Sequence, residues 1–154
     1  MKKLYLLRHA KSSWDNPLLS DYDRPLNSRG RRQARAMGRF FREQAFEIDG
    51  ILCSSALRTR QTLDLLLESY AYKGDIAYRD EIYASSVSIL INLIQQTELN
   101  SLLLIGHNPE IESLAANLSG QVLIMPTCQL AVIDMENGNL ELFTRPEEAK
   151  KSKR

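Results

Sequence analysis

The sequence predicts an α/β fold: a three-layer α/β/α sandwich on a mostly parallel central sheet, closed by a C-terminal antiparallel hairpin. Three observations carry that expectation. Short apolar runs alternate with longer stretches of helical periodicity, as in a chain that crosses from strand to helix and back. The runs at Leu4–Leu7 and Leu102–Ile105 are apolar throughout, as in strands covered on both faces. The last two runs flank Glu136-Asn137-Gly138-Asn139, a hairpin signal.

Taken in order, Leu4 to Leu7 reads as a buried strand. Residues 16–27 contain Pro17, Pro25, Asp21 and Asp23, and read as a loop. Ser28 to Gln44 places Ala34, Met37, Phe40 and Phe41 at helical spacing, and Gly50 then breaks the pattern before a second strand at Ile51–Cys53. Leu57 to Ser69 carries leucines at 63, 65, 66 and 67, a helix with a wide apolar face. Ile76–Tyr78 is a third strand, and Ser86–Gln96 is helical, with apolar residues at 87, 90, 91 and 94. After the Leu102–Ile105 strand, Gly106-His107-Asn108-Pro109 turns the chain. Pro109 suits the first position of a helix that runs to about Leu118. Leu130–Ile133 and Leu140–Phe143 are the hairpin strands. The expected domain spans residues 1–146, and 147–154 form a charged, frayed tail.

Bulk properties narrow the function. The 154 residues suit one domain, and 44% apolar with 25% charged is an ordinary globular mix. A formal net charge of +1 implies no general attraction to nucleic acid or membrane. No apolar run approaches the roughly 20 residues that span a bilayer, and no signal peptide is recognisable, so a cytoplasmic protein is expected. Cys53 and Cys128 form neither a C-x-x-C pair nor a zinc spacing, and read as two reduced thiols near the core.

Ligands of open α/β sheets bind beyond the carboxyl ends of the strands. Strand one runs into Arg8-His9, strand two into Ser54 with Arg58 four residues on, and the strand at 102–105 into His107. The sequence has two histidines, and both fall just past a strand end. A zinc pair would need further converging ligands, whereas Arg8 and Arg58 repel a cation. A dinucleotide site would need G-x-G-x-x-G where the chain has Arg8-His9-Ala10-Lys11-Ser12-Ser13. Arginine forks match phosphate oxygens, and a neutral imidazole attacks phosphorus without prior deprotonation. The residues therefore point to phosphoryl transfer through His9, with no cofactor and no metal.

Leu6-Leu7-Arg8-His9-Ala10 resembles the Arg-His-Gly signature of the histidine phosphatase (phosphoglycerate mutase-like) superfamily. Pro25-Leu26-Asn27-Ser28-Arg29-Gly30 with Gln33-Ala34 resembles its helix entry, Ser54 to Thr62 its second arginine motif, and Gly106-His107 its second histidine motif. The short chain, the Arg8-to-Ser12 start and the Asp23-Arg24-Pro25-Leu26 loop look most like the SixA group of small phosphohistidine phosphatases. Ala10 departs from the signature glycine. Lys11 and Asp15 stand where mutase-like members often carry Glu and Asn, which speaks against phosphoglycerate mutase activity.

The resemblance implies a phosphoglycerate mutase-like fold and a phosphatase with His9 as nucleophile. Arg8, Arg58 and His107 would complete the phosphate pocket, and Arg24 would be a further phosphate contact. Glu81, beside Asp80, lies in the region from which the wider superfamily supplies a general acid, and reads either as that acid or as an exposed loop carboxylate. The substrate would be phosphohistidine in a phosphorylated protein, with small phosphorylated metabolites as the alternative. A non-catalytic phosphate-binding module is the competing class.

Overall fold

The computed structural model describes residues 1–146, so the expected tail at 147–154 lies outside the described residues. The strands are β1 (Lys3–Arg8), β2 (Gly50–Ser54), β3 (Asp75–Arg79), β4 (Ser101–Gly106), β5 (Leu130–Asp134) and β6 (Leu140–Thr144). The α-helices are α1 (Ser28–Glu43), α2 (Leu57–Leu66), α3 (Val87–Gln95) and α4 (Glu110–Ser119). Two short 3-10 helices, Asp21–Asp23 and Asp80–Ile82, fall in connections.

The strands form one six-stranded sheet in the order β3-β2-β4-β1-β5-β6. The first four are mutually parallel, whereas β5 runs antiparallel to β1 and to β6. The expected fold class is the one observed. Alternation along the strands builds both faces. Tyr5, Leu7, Ile51, Cys53, Leu103 and Ile105 point to the layer holding α1 and α2, where Met37, Phe41, Leu63 and Leu66 meet them. Leu4, Leu6, Leu52, Leu102 and Leu104 point to the other layer, against Leu90, Leu93, Ile111 and Leu114 of α3 and α4. The covered strands are apolar on both faces because both faces are core.

Local chemistry sets the helix ends. Asn27 caps α1, its side chain accepting from the Gly30 N–H at 2.8 Å. Ser86 caps α3 in the same way through the Ile89 N–H. Gly120, at φ 73°, closes α4 in the left-handed region that glycine adopts readily. Pro109 immediately precedes α4 rather than opening it, and the Asn108–Pro109 peptide is cis. The helix expected to reach Ser69 ends at Leu66, where the chain passes into a turn. Among the described residues no helix is long and apolar enough to cross a membrane.

Candidate active site

Parallel pairing sets the site. Arg8 is the last residue of β1 and pairs in register with Gly106, the last of β4. The next residue on each strand is a histidine, and His9 and His107 therefore leave the sheet side by side. Their ring centroids are 5.2 Å apart. β2 lies on the far side of β4 and runs through Ser54 into α2, whose first turn brings Arg58 to the same end of the sheet.

These residues and Arg24 surround a cavity of about 300 Å3, completed by Lys11, Ser12, Trp14, Asp21, Asn108 and Thr127. A wider hollow of about 560 Å3 includes Lys2, Lys3, Asn100 and Ser101 at the amino ends of β1 and β4. It holds neither histidine nor arginine, so volume alone does not locate the chemistry.

His9 is buried, and its Nδ1 lies 2.7 Å from the Ala10 carbonyl oxygen. A carbonyl only accepts, so Nδ1 carries the proton and Nε2 bears the lone pair. Burial lowers the pKa of His9 to about 3; the Ala10 hydrogen bond opposes the shift, and the charges of His107, Arg58 and Arg8 add to it. His9 is thus a neutral imidazole at physiological pH. The loop that carries it is anchored on both sides. The Ala10 N–H donates to Thr62 Oγ1 at 3.0 Å, the Lys11 N–H to Gln33 Oε1 at 2.9 Å, and the Cys128 N–H to the His9 carbonyl at 3.0 Å.

His107 Nε2 lies 2.7 Å from Ser54 Oγ. The same hydroxyl oxygen accepts from the Ala56 N–H at 3.2 Å. The other ring nitrogen, Nδ1, is buried and has no hydrogen-bond partner among the described residues. Burial lowers this pKa too, to about 3, with Arg58, Arg8 and Arg24 pushing the same way and Asp21 opposing.

The three arginines are held differently. Arg8 Nη1 donates to the Met125 carbonyl at 3.1 Å. Arg58 donates through Nη1 to the Asp21 carbonyl at 2.7 Å and through Nη2 to Asp21 Oδ2 at 3.0 Å. Arg24 donates to Asp21 Oδ1 through Nε and to Ser12 Oγ through Nη1 at 2.7 Å, and its guanidinium stacks 3.5 Å from the Trp14 ring centroid. The Nε atoms of Arg8 and Arg58 are buried without a partner among the described residues.

The structure thus brings His9, Arg8, Arg58, His107 and Arg24 together. It does not bring Glu81 to them. Glu81 is exposed and forms an ion pair with Arg79 at 2.7 Å. That hydrogen bond lowers its pKa, so the carboxylate stays ionised. The short helix at 80–82 turns Ile82 into the core and hands the Ser55 hydroxyl to Asp80, which leaves the Glu81 side chain in solvent. The general acid that the resemblance places at Glu81 is therefore not part of this cavity.

Asp21 is the residue that sequence reading missed. Burial would raise its pKa, but the Tyr83 hydroxyl, Arg58 and Arg24 outweigh it and hold it at about 2. No pattern in the irregular 16–27 segment marks it. Ser12 and Trp14 both contact Arg24. Cys53 and Cys128 are both buried, and burial pushes the Cys53 thiol far up, which makes it inert. Among the described residues, no three His, Cys, Asp or Glu side chains gather as a metal site would.

Comparison with known proteins places the chain among its relatives. Residues 4–83 match the histidine phosphatase superfamily (branch 1). The chain is 32% identical over 143 residues to an uncharacterized chloroplastic protein of Arabidopsis thaliana, covering 86% of this chain and 66% of that relative's length. It superposes on the crystal structure of a protein provisionally named phosphohistidine phosphatase SixA, from Agrobacterium tumefaciens. The TM-score is 0.87 at 35% identity, over 94% of this chain and 98% of that one. It superposes also on the protein histidine phosphatase SixA complexed with tungstate, with a TM-score of 0.80 at 25% identity, over 95% of this chain and 96% of that one. The matched segment holds the Arg8-His9 strand end, the helix entry at Pro25 and the Arg58 motif, and on that ground the chain belongs to the histidine phosphatase superfamily.

Proposed function

We propose that this phosphatase is SixA-like and removes phosphoryl groups from phosphohistidine in proteins through a covalent intermediate on His9. The observation that carries the reading is the His9 tautomer. The Ala10 carbonyl holds the Nδ1 proton, so Nε2 offers its lone pair beside three arginines.

The cycle has two displacements. In the first, Nε2 of His9 attacks phosphorus in line, the P–N bond forms, and the bond to the leaving group breaks. In the second, water attacks from the vacated side, releasing phosphate and restoring the imidazole. Arg8, Arg58, Arg24 and His107 hold the equatorial oxygens in both steps. The arginines neutralise the charge that a metal would otherwise neutralise, so activity is expected to survive EDTA.

The leaving group favours a phosphohistidine substrate. The carboxylate that lines the cavity, Asp21, is held ionised by arginine, and Glu81 stands apart. An alkoxide leaving group would need a proton donor, because its conjugate acid has a pKa near that of water, roughly 15.7. Phosphohistidine already protonated on its other ring nitrogen releases neutral imidazole, a far better leaving group, whose conjugate acid loses a proton near pH 6.5, about nine units lower. A macromolecular substrate is further supported by Trp14, which lines the cavity and is 71% exposed.

A substrate panel tests the reading. A phosphohistidine protein, an aryl phosphate, a sugar phosphate and phosphoglycerate are compared by kcat/KM. The phosphohistidine protein is expected to lead. Preference for an alkyl phosphate would make the protein a small-molecule phosphomonoesterase, and no His9-dependent activity on any of the four would make it a binding module.

A further inference from the structure

The cavity carries an anion of its own. Asp21 Oδ1 takes both Nε and Nη2 of Arg24, each at 3.1 Å. Oδ2 takes Arg58 Nη2 at 3.0 Å and the Tyr83 hydroxyl at 2.8 Å. The Nε/Nη2 edge of an arginine is the fork that grips a carboxylate or a phosphoryl group with two parallel bonds. A phosphoryl group held by Arg24 and Arg58 would use the donors that Asp21 now occupies.

Burial says which partner can move. The Arg24 and Arg58 side chains are 9% and 7% exposed, whereas that of Asp21 is 48% exposed. Asp21 also stands on a three-residue 3-10 helix within a loop, with no long element to hold it. Its carboxylate has water to turn to and the guanidiniums do not. Four cations line the cavity, Arg8, Lys11, Arg24 and Arg58, so an entering dianion meets net positive charge even with Asp21 nearby.

Given the reading of this cavity as a phosphoryl site, we propose that Asp21 is an internal competitor for it. The carboxylate sits where phosphoryl oxygens bind, swings out as substrate enters, and returns as phosphate leaves. A tethered group acts at an effective concentration in the millimolar range or above, enough to displace a small product. The enzyme needs strong arginine contacts in the transition state, and those same contacts would trap free phosphate. Asp21 offsets the trap by supplying a substitute anion.

The rival role for Asp21 is a strut that holds the two guanidiniums in position for phosphate. The two roles predict opposite signs. Inorganic phosphate binding is measured by calorimetry on the wild type, Asp21→Asn and Arg58→Ala, with turnover followed in the burst and steady-state phases. Asp21→Asn keeps the side-chain shape and removes the charge. The competitor role predicts about tenfold tighter phosphate binding, as when a binding-competent fraction of about one tenth becomes the whole population. It also predicts an undiminished burst followed by slower steady turnover. Asp21→Ser, at the same half-exposed position, should tighten phosphate likewise. Phosphate binding that is unchanged or weaker in both variants overturns the proposal. Arg58→Ala that binds phosphate as well as the wild type overturns instead the assignment of the phosphoryl site on which the proposal rests.

Discussion

The backbone N–H of His9 donates to the carbonyl of Gly106 at 3.1 Å, so the nucleophile candidate is hydrogen-bonded to the residue that precedes His107. The two imidazoles are therefore placed by the β1–β4 ladder itself and not by flexible loops. A parallel register of Arg8 on Gly106 makes a 5.2 Å ring separation the natural result of putting a histidine next on each strand. Groups held by rigid strands lose little entropy on reaching the transition state, which is the main resource of phosphoryl transfer.

Arg58 and Arg60 separate charge in the cavity from charge on the surface. Arg58 is buried against Asp21, whereas Arg60 is exposed and stacks 4.7 Å from the Tyr78 ring centroid. Arg58→Ala is expected to lower kcat/KM by about 10²–10³-fold, the cost of one preorganised transition-state contact. Arg60→Ala should change it little. Steady-state kinetics on one substrate checks both, and equal small effects would contradict the assignment.

Much of this was legible in the sequence, for physical reasons. His9 and His107 stand out because apolar runs end in them, and a buried strand that ends in histidine has few other uses for it. Arg58 is legible through its place just after Ser54. Asp21 is not legible, because two of its partners, Arg58 and Tyr83, come from α2 and from the short segment after β3, through tertiary contacts that no local pattern records. Glu81 was expected from a family resemblance by region, and one turn of 3-10 helix sufficed to direct it into solvent. The hairpin signal placed β5 and β6, while the bulge between Val132 and Ile133 has no local signature.

Gly30 links the first helix to the nucleophile loop. A Cβ at this position would run into the carbonyl of Lys11, which also accepts from the Asn27 N–H at 3.0 Å. Gly30→Ala is expected to destabilise the fold by about 1–3 kcal/mol, the usual cost of overpacking, and to depress activity by shifting the segment after His9. Chemical denaturation and a turnover assay test this. Wild-type values in both would show that the helix and loop yield without cost.

Glu81→Gln should leave turnover of a phosphohistidine protein nearly unchanged, far from the roughly 10²-fold or greater loss that follows removal of a general acid. The Arg79 ion pair is solvent-exposed and contributes little. A steep loss of kcat at unchanged KM would mean that Glu81 reaches the leaving group during turnover.

The two histidines also predict how stability depends on pH. Each has a pKa lowered from 6.5 to about 3 in the folded protein. Between those values the unfolded chain binds more protons than the folded one, so stability rises with pH across this window and falls on acidification through it. Thermal melting should therefore drop from about pH 7 to about pH 4.5, and His9→Asn should drop less steeply. Parallel slopes for wild type and variant would show that His9 is not buried as a neutral ring.

The central claim is that the phosphoryl group passes through His9. The direct measurement is to react the protein briefly with a labelled phosphoryl donor, quench without acid, digest, and locate the label by mass spectrometry. The prediction is a phosphorylated peptide carrying His9, stable to base, labile to acid, and lost in His9→Ala. Label on Cys53, on a serine or on His107, or turnover that persists in His9→Ala, would contradict it.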